Sequence, residues 1–374
     1  MRFVIAPDSF KESMAAATAA EAMERGVREV FPEAECVRVP LADGGEGLVA
    51  ALAPVLGAQI VQAQVRDPFS EWITAEYGLT ADGLAIMESA SAIGLGLIPA
   101  SERNIWAANT AGVADLIRDA VARGARRLLI GIGGTATNDC GAGMLSGLGT
   151  EIFDALGEPV AALPSELGMV AAMKLRTEVD GAPLPPITVA CDVNNPLLGE
   201  QGATAVFGPQ KGATAADIGY LEDALAQYAA CLERASGKAV RELPGAGAAG
   251  GLGAAFLAIG AELKPGIEIV LDTLNVAARL QGADYVLTGE GALDAQTGGG
   301  KAPFGMAALA AQHQVPCVAF VGQLGEGAIQ LSGFTQKICI TPPNMERSQA
   351  LIRGPQHLQA SVAAWASTLV STDL

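Results

Sequence analysis

Histidine is almost missing: the 374 residues contain only His313 and His357. A Ser-His-Asp hydrolase and a metal site built on imidazole are therefore set aside, and no Gly-x-Ser-x-Gly elbow surrounds any serine. The six cysteines (Cys36, Cys140, Cys191, Cys231, Cys317, Cys339) are far apart and form no C-x-x-C pair. That excludes a zinc ribbon or a disulfide framework and fits a reducing cytosol. Basic residues are scarce, 23 against 40 acidic ones, for a net charge of −17. Such a chain repels nucleic acid and anionic membrane surfaces at long range, so neither is an expected partner. The uncharged stretch Leu243 to Ala261 carries Pro244 and six glycines and reads as a loop entering a buried helix rather than a membrane span. The opening apolar run, Phe3 to Ala6, is too short for the core of an export signal. A cytoplasmic location is expected.

What is abundant is apolar sequence, at 50%, together with 46 glycines and 20 prolines. The length suggests two domains of roughly 150 residues each. Short β-rich runs alternate with helical patterns, the signature of an α/β protein with parallel sheet. Strands are expected at Phe3–Ala6, Cys36–Val39, Arg126–Ile132, Ile187–Cys191, Tyr285–Thr288, Val315–Val321 and Ile338–Thr341. A helix capped by Ser13 carries Met23, Val27, Val30 and Phe31 on one face and stops at Pro32. A second, capped by Asn109 or Thr110, ends at Gly124, and Pro303 suits the first turn of a third. Ile60 to Glu88 differs: short alternating segments around the turn Ala81-Asp82-Gly83 predict antiparallel strands. No repeat of fixed period is present.

Several apolar runs end in a loop bearing a carboxylate: Asp8, Asp43, Asp139, Asp192 and Glu290. In open α/β sheets ligands bind beyond the carboxyl ends of the strands, so convergence of these acids on one cleft is expected. Loops of the same kind hold Lys11, Lys211 and Lys301 beside Gly or Ser, where a point charge and close backbone N–H groups suit an anion. Named phosphate motifs fit poorly. A Walker A loop at Lys301 would need Gly at Ala295 and Ser or Thr at Ala302. Gly131-Ile132-Gly133-Gly134-Thr135-Ala136 and Gly245-Ala246-Gly247-Ala248-Ala249-Gly250 satisfy loose dinucleotide fingerprints. The first runs on into more loop, and no strand precedes the second. What remains, carboxylates, lysines and Gly loops, is the kit for Mg²⁺-assisted phosphoryl transfer.

These segments resemble the bacterial type 1 glycerate kinase family. The resemblance rests on Ala6-Pro7-Asp8-Ser9-Phe10-Lys11, Ala42-Asp43-Gly44-Gly45-Glu46-Gly47, the stretch from Gly131 to Asp139, and Ala190-Cys191-Asp192-Val193-Asn194-Asn195-Pro196-Leu197. It continues through Ala205 to Gly212, Pro244 to Gly251, and Thr288-Gly289-Glu290-Gly291 with Asp294, Gln296, Thr297, Gly300 and Lys301. Ala292-Leu293 stands where the family usually has Arg and Ile, and Gly298-Gly299 replaces bulkier residues. The resemblance implies ATP-dependent phosphorylation of D-glycerate at the 2-hydroxyl, in glyoxylate and sugar-acid catabolism. It also implies a Rossmann-like parallel-sheet domain with a second, inserted α/β domain and the active site in a cleft. Residues 1–62 and 280–374 are expected to form the first domain and 63–279 the second.

On that footing Lys11, Asp192, Asp294 and Lys301 are the expected catalytic residues, with Asp192 or Asp294 as base for the glycerate hydroxyl. Asp8, Ser9 and Asp43 are expected at the substrate, Ser9 and Lys11 binding its carboxylate or the transferring phosphoryl group. Gly133, Gly134, Thr135, Asn138 and Lys211 are expected on the ATP phosphates, and Asp43, Glu290 and Asp294 on Mg²⁺. The partners are small molecules, ATP and D-glycerate; the assembly is left open, with a homodimer as one option. Two rivals stay in view. An NAD(P)-linked hydroxy-acid dehydrogenase would need an acidic ribose ligand after the next strand, and a non-catalytic anion sensor would not need so many carboxylates.

Overall fold

Strand pairing in the computed structural model, which describes residues 1–41, 47–293, 302–325 and 327–370, divides between two compact units. One joins Met1–Asp43 to Ile267–Leu374, and the other is the continuous stretch Gly44–Gly266.

The discontinuous unit is built on five parallel strands in the order Gln336–Cys339, Cys317–Leu324, Tyr285–Leu293, Arg2–Ile5, Glu35–Arg38. Parallel neighbours need crossovers, and the helix Ala16–Val30 makes the first. It buries Ala19, Ala20, Met23 and Val27 against a core holding Phe3, Phe320 and Trp365. Phe3 and Trp365 meet edge to face, with ring centroids 6.3 Å apart. The C-terminal helix Gly354–Val370 closes on the same face, and Gly26 permits the approach because a Cβ there would lie 2.5 Å from the Gln359 carbonyl oxygen. The helix starts later than the Ser13 cap implies. Ala15 holds the N-cap position with no side-chain bond, while the Ser13 hydroxyl donates to the Leu351 carbonyl at 2.7 Å. A long-range partner has taken the hydroxyl that local capping would have used. The helix Ala302–Gln312 places Pro303 in its first turn, as expected.

The continuous unit carries a six-stranded sheet in the order Glu262–Lys264, Ile187–Ala190, Arg127–Gly131, Leu84–Glu88, Trp72–Leu79, Gln59–Arg66. The first four are parallel, while Gln59–Arg66, Trp72–Leu79 and Leu84–Glu88 pair antiparallel in succession. Ala63, Val65, Ala75 and Tyr77 of the hairpin all face the core, which is the alternation its sequence shows. Thr110 holds the N-cap position of helix Ala111–Ala122, and Asn109 Oδ1 just before it accepts from the Ala111 N–H at 2.9 Å. The units divide earlier in the chain than 62/63 and 279/280. Gln59–Arg66 pairs along its whole length within the continuous unit, and Ile267 packs where a Cβ on Gly305 would stand 2.5 Å from its Cγ1. No helix among the described residues is long and apolar enough to cross a membrane.

Candidate active site

Each unit has a pocket at the carboxyl ends of its parallel strands. In the discontinuous unit the chain goes from Arg2–Ile5 outward to Glu35–Arg38, then returns to the other side of Arg2–Ile5 as Tyr285–Leu293. The strand order reverses between those two neighbours, the place where open sheets part to form a crevice. A cavity of about 510 Å³ lies there, lined by Asp8 to Ser13, Glu290 to Ala292 and residues of 340–357. The Asp8 N–H donates to the Gly289 carbonyl at 2.8 Å, tying the first loop to the adjoining strand. Asp8 in turn accepts from the Ser9 N–H at 2.6 Å. Asp8 and Glu290 are both buried and both line the cavity, whereas Lys11 is exposed. Two carboxylates on neighbouring strand ends fit Mg²⁺, which takes oxygen ligands, needs one or two carboxylates and keeps its waters. Among the described residues no cluster of three or more His, Cys, Asp or Glu could hold a metal. Asp43, Asp294 and Lys301 lie outside the described residues.

The pocket of the continuous unit is smaller, about 170 Å³, lined by Ile132 to Thr135, Cys191 to Val193, Gln210, Lys211 and Ala249 among others. The loops after Arg127–Gly131 and Ile187–Ala190 thus bring Gly133, Gly134 and Thr135 together with Lys211 and Asp192. Lys211 is 3% exposed, and its ammonium donates to the Thr137 carbonyl at 2.6 Å. Burial pushes it down to about 7, the charge of Asp139 opposing. Asn138 is fully buried, its amide nitrogen donating to Thr204 Oγ1 at 3.0 Å. Thr135 Oγ1, Thr137 Oγ1 and Asn138 Oδ1 are buried without a hydrogen-bond partner among the described residues. Each such group costs about 1–3 kcal/mol unless something bonds it. Of the three only Thr135 lines the pocket with Lys211, where its hydroxyl and the ammonium suit anionic oxygen, while Thr137 and Asn138 lie behind it. Asp192 Oδ1 accepts from the Gly266 N–H at 2.8 Å, at the start of helix Gly266–Thr273.

One expectation fails. Asp139 is not at either pocket: it is fully buried and accepts from Thr110 N–H, Thr110 O–H, Gly141 N–H and Gly143 N–H at 2.8 to 3.1 Å. Burial raises its carboxyl above the usual range, against those four donors. They fix the starts of helices Ala111–Ala122 and Ala142–Gly147, so Asp139 anchors backbone instead of binding ligand. Asp8 and Glu290 share one pocket, and Asp192 lines the other. Neither Gly fingerprint opens a dinucleotide-type helix directly. After Gly131 to Ala136 the next helix begins at Ala142, and Ala249, Gly250 and Gly251 are successive left-handed residues. Sequence reading missed the 340–357 lining, although Thr341-Pro342-Pro343 marks a loop after a strand's carboxyl end, the same signal used for Asp8.

A model of the glycerate kinase family matches residues 3–370. The chain is similar to a glycerate kinase of Halalkalibacterium halodurans, 42% identical over 372 residues, covering 97% of this chain and 98% of the relative. It is also similar to a glycerate 2-kinase of Escherichia coli K12, 44% identical over 333 residues, covering 87% and 86%. Among solved structures it matches that of a protein assigned as a glycerate kinase 2 from Salmonella typhimurium LT2. The TM-score is 0.88 at 40% identity, with 100% and 99% of the two chains covered.

Proposed function

Because the chain belongs to the glycerate kinase family, we propose that it transfers the γ-phosphoryl group of ATP to the 2-hydroxyl of D-glycerate, giving 2-phosphoglycerate and ADP. The motifs from Ala6 to Lys11 and from Gly131 to Asp139 support placing it in the bacterial type 1 branch, acting on soluble small molecules in the cytoplasm. The observation that carries this reading is the chemistry gathered at the strand ends: buried Lys211 beside the orphaned hydroxyl of Thr135, and Asp8 with Glu290 near exposed Lys11. Phosphoryl transfer needs little covalent help from protein and much positioning and charge neutralisation.

Asp192, oriented by its bond from the Gly266 N–H, takes the proton as the glycerate hydroxyl oxygen bonds to the γ-phosphorus and the bond to the β,γ-bridging oxygen of ATP breaks. Asp294 is the second candidate for that proton. Lys11 and Ser9 bind anionic oxygen in the larger pocket. Gly133, Gly134, Thr135, Asn138 and Lys211 form a cradle for the ATP phosphates, and Lys301 adds positive charge. Glu290, with Asp8 beside it and with Asp43 and Asp294 by their place in the sequence, would hold Mg²⁺. Bound there, Mg²⁺ neutralises charge on the phosphate oxygens.

The test is an assay with ATP, Mg²⁺ and D-glycerate in which the product is passed to enolase alone. Consumption without a mutase establishes the 2-phosphate, and ADP formation with no enolase turnover overturns the regiochemistry. No glycerate-dependent ADP overturns the kinase. Lys11→Ala and Asp192→Asn are each expected to lower kcat by about 10²–10³ while the protein stays folded. Near-wild-type turnover in either removes that residue from the machinery.

A further inference from the structure

Lys211 stands on a short element. Its backbone belongs to the single 3₁₀ turn Pro209–Lys211, which follows helix Ala203–Phe207 and ends at Gly212. One such turn has too few hydrogen bonds of its own to fix the root of a flexible four-carbon stem, yet the ammonium meets the Thr137 carbonyl at 2.6 Å. The peptide unit joining Gln210 to Lys211 is held at both ends. Its N–H donates to the Gly208 carbonyl at 2.9 Å, and its carbonyl accepts from Arg103 Nη1, also at 2.9 Å. Arg103 Nε is buried with no partner, so among the described residues the Gln210 carbonyl takes the one hydrogen bond that the guanidinium makes. The main chains approach as well: Gly212 has φ +100, and a Cβ there would stand 2.8 Å from the Arg103 carbonyl oxygen. Arg103 does not itself line the pocket. Its loop has a separate anchor, Trp106 Nε1, which donates to Asp217 Oδ1 at 3.3 Å at the start of helix Asp217–Ser236.

We infer that Arg103 is the positioning residue of Lys211: from outside the pocket lining, its guanidinium fixes the Gln210–Lys211 peptide and so aims the ammonium at the anion that the pocket binds. The inference rests on the reading of Lys211 as an anion ligand and deepens it. A bond from a charged donor to a carbonyl is stronger than a neutral one. Without it the turn loosens, the lysine stem regains rotamers, and the ammonium spends part of its time in water.

The experiment compares the full chain with its Arg103→Met variant in two readouts. The first is amide hydrogen exchange. The Lys211 N–H is expected to exchange about tenfold faster in the variant, while Leu225, buried in helix Asp217–Ser236, stays within about twofold of wild type. The second is the Kd of a non-hydrolysable ATP analogue with Mg²⁺, and separately of D-glycerate. At pH 6 Lys211 is charged in both proteins, and Arg103→Met is expected to weaken by about fivefold whichever ligand Lys211→Met weakens. That penalty is expected to shrink toward pH 9, where free wild type has lost most of the ammonium's charge; a merely structural loss would be the same at both. The other groups whose charge bears on this titration, Asp139 and the pocket-lining Asp192 and Cys191, are common to both proteins. In a Lys211→Met background Arg103→Met is expected to add less than about twofold. Arg103→Lys keeps a charged donor on a shorter side chain. It is expected to show both effects at reduced size, and it decides if Arg103→Met does not fold. Exchange at Lys211 that is unchanged, or that rises no more than at Leu225, overturns the positioning role. So does a ligand loss that persists in the Lys211→Met background, or an Arg103→Met protein that at pH 6 still binds at full strength the ligand that Lys211→Met weakens. Faster exchange at Lys211, with neither ligand weakened by Lys211→Met, upholds the positioning and refutes only the anion reading.

Discussion

Among single residues, Lys211 and Asp139 show how burial decides a role that residue type leaves open. Both sit in the segment-and-loop pattern that suggests ligand binding, and both are buried. Asp139 is saturated by four donors, so it is structural. Among the described residues Lys211 gives one of its three N–H bonds to a carbonyl and keeps two, which suits it to an anion. Its ammonium, ordinarily charged to about pH 10, is held at about 7 by desolvation. The charged form binds the anion, and a bound anion raises that value, so binding above pH 7 takes up a proton. Affinity for the ligand it serves is therefore expected to fall as pH rises from 7 toward 9, by at most about tenfold per pH unit. The slope is read from KM for ATP and glycerate against pH. Lys211→Arg, charged throughout, is expected to flatten it, and a slope that persists in the variant assigns the titration to another group.

Elements were the most legible level. The strand runs, the antiparallel segment from Ile60 to Glu88 and the helix from Ala111 all lie close to where apolar periodicity puts them, because each pattern records which face is buried. Caps were less legible: Ser13 looks like an N-cap, but its hydroxyl is claimed by Leu351, more than three hundred residues away in sequence. The Gly-rich segment from Gly245 was readable as glycine but not as geometry. Gly250 has φ +68, and a Cβ there would stand 2.0 Å from the Thr137 carbonyl oxygen, the same carbonyl that receives Lys211. Gly250→Ala is expected to cost about 3 kcal/mol from overpacking and strain together. Gly57→Ala, at φ +62 with nothing among the described residues within 4 Å, is expected to cost about 1 kcal/mol. Denaturant midpoints of the two variants measure the contrast, and equal losses would show that backbone conformation alone is responsible.

Over the whole molecule, one unit is assembled from both ends of the chain, with Phe3 opposite Tyr285 and Val286 opposite Cys317 in one sheet. The net charge of −17 acts at this scale too. On the proposed reading ATP and D-glycerate, both anionic, approach a negative protein, and screening relieves that repulsion. Raising monovalent salt from about 10 to 150 mM shortens the Debye length from about 30 to 8 Å, and kcat/KM for ATP is expected to rise. A fall would show that the lysines at the strand ends govern the encounter instead of the overall field.

By itself the sequence determined the α/β class, most of the strands, the family, and the loops in which Asp8, Ser9, Lys11, Thr135, Asp192, Lys211 and Glu290 lie, because periodicity and local composition are written into adjacent residues. Only the tertiary structure decided that Asp139 holds backbone, that Asp8 and Glu290 share one pocket while Lys211 and Asp192 share another, and that residues 340–357 complete the larger cavity. Those outcomes depend on which distant donors reach a given oxygen and how much solvent is left around it, and neither quantity exists until the chain has folded.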